Sequence, residues 1–292
     1  MHPRRGFAFY VLATVFALYV LFLYGPMATI VVLSFQGPEG GLTFPMNGVS
    51  LHWFAKLFAG GGIVDIGAAL RRSLALGLLV MLVTVVFSVA AGMAFRRRLP
   101  FGGVLLYTAI ASLIVPSIVT SLGIALGFRL IDDLIHHLGV EDWTTAMGLY
   151  TSGLGAHLTW TLPFGLLIML AVFNRFDGRL EEAARDLGAT PWQSFRHVVL
   201  PIILPSVVGI GLFGFTLSWD ELARSSQAIG AVNTLPLELQ GLTTTVTKPD
   251  IYALGTVTTA ISLAVIGAAL LVITRLRARR ARHGSDAGDG MV

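Results

Sequence analysis

Six long apolar runs alternate with more polar segments along this chain. They fall at 7–34, 73–95, 101–128, 146–173, 202–219 and 251–274, and a helix needs about 20 apolar residues to cross a bilayer. The pattern predicts an all-α membrane protein with six transmembrane helices and both termini on one side. Residues 1–68 hold the first helix and a long loop, 69–275 the transmembrane domain, and 276–292 a basic tail expected to lack order. Within the loop, Leu51 to Phe58 is a short amphipathic stretch suited to the membrane interface.

One polar segment is patterned differently. Between the fourth and fifth runs, Leu180, Ala183, Ala184 and Leu187 recur at i, i+3, i+4 and i+7, so they share one face of a helix. Arg179, Glu181, Glu182, Arg185 and Asp186 fill the rest. Gly188 should end this helix by taking positive φ. Thr190-Pro191-Trp192-Gln193 should start another, with Thr as N-cap, Pro at the first helical position and Gln three residues after the cap. Trp192, Phe195 and Val199 give the second helix an apolar face, and Pro201 is expected to end it. Two short helices joined at a glycine form a knob that another protein can grip.

Composition supports the membrane reading. Of 292 residues 55% are hydrophobic and 12% charged, against about 25% charged in soluble domains. There are no cysteines, which excludes disulfides. With the termini inside, fourteen of the twenty basic residues lie on the inner segments, which carry net +8, while the outer segments carry −4. That asymmetry sets the orientation. The basic stretch 275–282 then reads as an anchor to anionic lipid, with a nucleic-acid arm as the alternative and no nucleic-acid partner expected. The two lysines, Lys56 and Lys248, precede Leu57 and Pro249. A phosphate-binding loop needs Gly-Lys-Ser/Thr, so the chain has none, and no ATP hydrolysis is expected of it.

The charged island carries a resemblance. Glu182-Ala183-Ala184, then Gly188, then Leu200-Pro201, is similar to the EAA loop of the permease subunits of bacterial ABC importers. The resemblance covers about 69–275. It implies a type I importer permease in the bacterial inner membrane, working by alternating access. The implied partners are a second, homologous permease subunit, two ATPase subunits inside and a solute-binding protein outside. ATP and magnesium would sit on the ATPase partner, with no cofactor on this chain. The implied coupling residues are Glu181, Glu182, Ala183, Ala184, Arg185, Asp186, Gly188, Leu200 and Pro201.

Further on, Trp219-Asp220-Glu221 and Thr234-Leu235-Pro236 resemble the spermidine/putrescine branch of that family. That branch has an acidic pair after the fifth helix and a later Thr-Leu-Pro. Trp219 and Glu221 stand where it more often has another apolar residue and a second Asp. The resemblance implies a polyamine as solute, with amino-acid-like or phosphonate solutes as alternatives. A stand-alone carrier or channel is the rival class, and an enzyme is not expected.

Candidates for the solute path are Trp219, Asp220, Glu221 and His157. Adjacent acids at a helix end are also ordinary interface residues. His157 is the one ionisable residue inside the six runs. It reads either as a neutral histidine bonded to a neighbouring helix or as part of a relay, for which no intramembrane acid is visible. Pro163 should bend the fourth helix. Gly123 and Gly127 would permit close packing of the third. His136 and His137, adjacent and in a loop, do not share a helix face, so no metal site is expected.

Overall fold

The computed structural model describes residues 6–59, 65–96, 100–245 and 249–286, apart from the side chains of 245, 276–277 and 279–286. Arg4, Arg5, Arg97, Arg98 and Lys248 of the charge count lie outside the described residues, as do positions 287–292. The described chain is helical, with one isolated bridge between Gln36 and Val49.

Among the described residues five helices are long and apolar enough to cross a membrane: Phe7–Leu33, Ile66–Phe95, Leu149–Phe173, Pro191–Trp219 and Asp250–Arg275. The expected third span is not among them. Its sequence forms two helices, α4 at Gly102–Ala111 and α5 at Ser117–His137. Pro116 explains the break, because its ring disfavours helical geometry at Val115 and it has no N–H to donate. Hydropathy is blind to that backbone constraint. α5 then runs to His137, so His136 and His137 lie in its last turn, not in a loop. A Cβ built at Gly123 or Gly127 meets nothing within 4 Å, so no described helix packs there.

The chain divides into two compact units. The first comprises 1–67 and 238–261. It holds α1 (Phe7–Leu33) and α2 (His52–Phe58), the latter where the amphipathic stretch was expected. Gln36 is buried and organises the loop, donating to the Gly41 carbonyl and accepting from the Asn47 amide. Tyr252 donates to the Leu42 carbonyl at 2.8 Å.

The second unit comprises 68–237 and 262–292. Its framework is α3 (Ile66–Phe95), α6 (Leu154–Phe173, preceded by a π-helical turn at Leu149–Gly153) and α9 (Leu200–Trp219). Met169, Phe173, Val199, Ile203 and Ile210 form one buried cluster, and Leu76, Val80, Leu149 and Ile229 another. Lipid is as apolar as these side chains, so close packing and interhelical hydrogen bonds must hold the helices together. Both are present. Gly165 lets α6 approach α3 so closely that a Cβ would collide with Ser88, and Thr84 donates to Thr161 at 2.9 Å.

Proline has a further consequence in α6. Pro163 cannot donate to the Thr159 carbonyl, its helical acceptor. Ser112, at the end of α4, shares its hydroxyl proton between that carbonyl at 2.5 Å and the Ala109 carbonyl of its own helix at 2.7 Å. The defect in one helix thereby becomes a tie to another.

Two smaller expectations change. The helix does not stop at Pro201. It continues from α8 (Pro191–Ser194) through a π-helical turn at Phe195–Val199 into α9. Pro201 follows the π turn, where the Leu200 amide already reaches back five residues to the Phe195 carbonyl, so the helix passes the missing N–H at this shift in hydrogen-bond register. The polar segment 220–250, between the last two spans, contains α10 (Ser225–Ala228) and α11 (Leu235–Thr245). The last helix, α12, runs over Asp250–Asp286, so its backbone stays helical where the tail was expected to lack order. Arginine is a good helix former and complements the helix C-terminus.

Candidate functional site

Two constellations occupy opposite ends of α6 and α9. α6 has 20 residues, hence a length of about 30 Å at 1.5 Å per residue, the thickness of the hydrocarbon core.

At one end the chain turns a corner between α7 (Arg179–Asp186) and α8. The first turn of α7 carries Glu181 and Glu182 and its last turn Arg185, charges that suit the helix dipole. Gly188 has φ +87°. The Gly188 amide donates to the Arg185 carbonyl and the Ala189 amide to the Ala184 carbonyl, a Schellman closure. The capping box follows: Gln193 N donates to Thr190 Oγ1, and Thr190 N to Gln193 Oε1. The direction of the turn is therefore written in local hydrogen bonds.

Glu181 fastens this corner to the rest of the unit. Its two oxygens each lie 2.9 Å from an arginine, Arg96 at the end of α3 and Arg185. The Arg96 guanidinium also sits 5.1 Å and 4.9 Å from the ring centres of Phe173 and Phe176. Glu182, Ala183, Arg185 and Asp186 are exposed and Ala184 is half-buried. Among the described residues little covers the apolar face of α7: Leu180 is 48% and Leu187 90% exposed. Beside it lies an open depression of about 490 Å³ lined by Ala184, Leu187, Gly188, Gln193 and His197 among others. Leu200 and Pro201 stand apart from this surface, half-buried where α9 enters the core. An apolar knob with a charged rim on a locally rigid turn is suited to gripping a protein partner.

At the other end a buried polar network joins four helices. His157 Nδ1 lies 2.7 Å from Ser218 Oγ, and Nε2 lies 3.0 Å from Ser225 Oγ. Ser225 Oγ already donates to the Glu221 carbonyl at 2.6 Å. It therefore accepts from His157, which places a proton on Nε2 and, in the neutral ring, makes Nδ1 the acceptor from Ser218. Glu221 and Arg224 are 7% and 3% exposed and 3.5 Å apart. Arg224 also donates to Thr159 Oγ1 and Ser117 Oγ, and lies 4.5 Å from the centre of the Trp160 ring.

The four path candidates separate here. His157, Trp219 and Glu221 are buried, and Trp219 stacks on Phe215 at 5.7 Å. Asp220 is exposed, and partial burial of its carboxyl raises its pKa above 3.8. Sequence reasoning counted Arg96 and Arg224 only as edge charges. The structure places Arg224 and Glu221 in the interior, each neutralising the other. Their i, i+3 spacing was the available signal.

Residues 84–283 match the family described as binding-protein-dependent transport system inner membrane component. The chain is 29% identical to the spermidine/putrescine transport system permease protein PotC of Haemophilus influenzae, over 93% of this chain and 97% of that one. It is also 29% identical to the putrescine transport system permease protein PotI of Escherichia coli, over 80% of each. In fold it resembles a chain of a bacterial ABC transporter involved in the import of the acidic polysaccharide alginate. There the TM-score is 0.67 at 15% identity, covering 92% of this chain and 95% of that one. A second structure of a bacterial alginate ABC transporter, in complex with an alginate pentasaccharide-bound periplasmic protein, gives 0.62 at 15% identity, covering 90% and 92%. The chain belongs to the binding-protein-dependent transport system inner membrane components and is a permease subunit of the inner membrane.

Proposed function

We propose that this permease forms half of the path of an ATP-driven importer for a polyamine of the spermidine/putrescine kind. A second homologous permease completes the path, two ATPase subunits with ATP and magnesium drive it from inside, and a solute-binding protein delivers from outside. The observation that carries the reading is the α7–α8 corner: a turn closed by local hydrogen bonds, with Leu180 and Leu187 of its apolar face exposed among the described residues, and ion-paired through Glu181 to the end of α3. It is built to receive a push from a partner and pass it to the spans. The arginines of this segment, Arg175, Arg179, Arg185 and Arg196, support placing the corner inside.

The polyamine rests on the names of the relatives and on chemistry at the far end. Asp220 offers an exposed carboxylate just past α9, where a cationic amine leaving the binding protein would meet it.

Reconstitution of the whole transporter in vesicles tests this. Spermidine, putrescine, amino acids and phosphonates are each presented by the binding protein. The expected result is ATP-dependent accumulation of the amines. Uptake of another class with no amine uptake overturns the solute. Concentrative uptake by this chain without an ATPase overturns the importer.

A further inference from the structure

Asp220 and Glu221 are neighbours in sequence, yet the structure sends their carboxylates to different places. Asp220 is exposed. Glu221 turns inward, where Oε1 accepts from the Arg224 amide at 2.8 Å and Oε2 lies 3.5 Å from Arg224 Nη1. Arg224 is the node of the network. Through Nη1 it reaches Ser117 of α5, and through Nε and its ring contact it reaches Thr159 and Trp160 of α6. Its backbone carbonyl accepts from Ser121 of α5, whose oxygen also receives the Gln227 amide. α5 needs such a fastening, because the break before Pro116 separates it from α4.

We propose that the two acids are divided in role: Glu221 is the counter-ion of Arg224 in a latch that fastens α5 to α6, and it does not contact the solute. Arg224 is a positioning residue. Burying one of these charges without the other is far more costly than burying neither. Removing both together therefore leaves a workable interior, whereas removing one does not. Methionine suits position 224 in such a pair, being unbranched and with sulfur able to lie against Trp160. Ser117 and Thr159 can turn their hydroxyls to their own helix backbone.

The test compares Glu221→Gln, Arg224→Met and the double variant in the assembled transporter. One readout is the melting temperature of the purified complex, which needs no solute. The other is the concentration dependence of spermidine uptake in vesicles. Each single variant should melt lower by roughly 10 °C. The double variant should recover at least half of that loss, with its KM for spermidine within about twofold of the parent. A double variant melting as low as the singles overturns the latch. So does Glu221→Gln melting like the parent while KM rises about tenfold, the mark of a solute contact. If the parent takes up no spermidine, the polyamine reading fails, and the melting series still decides the latch.

Discussion

Glu181 Oε2 and Arg96 Nη2 lie 2.9 Å apart, and this pair joins the α7–α8 corner to the end of α3. The corner makes its internal turn with local bonds, but its attachment to the spans depends on long-range contacts such as this one. Arg96 adds the faces of Phe173 and Phe176 to the join.

Arg96→Ala should uncouple the motor from the path. The side chains are 23% and 14% exposed, so the ion pair and the ring contacts together contribute about 1.5 kcal/mol, or roughly tenfold. The measurement is solute accumulated per ATP hydrolysed, which should fall while the complex still purifies intact. An unchanged ratio would show that the push travels by another route.

Gly188 is held by conformation and not by crowding. Its φ is +87°, yet a Cβ there meets nothing within 4 Å. Gly188→Val should cost about 1–2 kcal/mol of corner stability, while Gly188→Asn, a residue that tolerates this region, should cost less. Melting temperature and co-purification of the ATPase rank the two variants; equal behaviour would contradict the strain argument.

Ser112 answers the carbonyl that Pro163 leaves open. Ser112→Ala should cost about 1 kcal/mol, the low end of the penalty for an unsatisfied acceptor, because the contact is only partly buried and the hydroxyl is shared with the Ala109 carbonyl. Adding Pro163→Ala restores the N–H of residue 163 to Thr159, so the double variant should melt above Ser112→Ala. Failure to recover would mean that the hydroxyl acts in some other way.

Asp220 is exposed at the surface, but partial desolvation of its carboxyl raises its pKa. The neutral form is thus favoured by folding: its stabilising effect is present below the unfolded pKa and is lost as pH rises through the folded one. Solute capture has the opposite sign, since a cationic amine needs the carboxylate. KM for spermidine should therefore climb as outside pH falls, beginning above the range of an ordinary aspartate. Asp220→Asn should raise KM at neutral pH and remove this acid limb. An identical pH profile in the variant would take Asp220 off the path.

The corner was readable in the sequence because everything that shapes it is local. Gly188, Thr190, Pro191 and Gln193 lie within six positions, and their hydrogen bonds close over three to five residues. Hydropathy likewise located five of the spans. It failed at 101–128, where the side chains are apolar throughout but the backbone cannot pass Pro116 as helix. Pro201, of the same residue type, interrupts nothing, because a π turn precedes it.

The sequence by itself determined that this chain lives in a membrane and presents a capped helical corner, since apolar length and local capping need no distant partner. Tertiary structure alone decided that Glu221 faces Arg224 while Asp220 faces outward. It also decided that His157 rests between hydroxyls 61 and 68 positions away. Burying a polar group without a partner is costly, so groups such as the His157 ring and the Glu221 carboxylate bond to protein. Which group answers is set by the helices that packing brings alongside, and their order in the chain does not reveal it.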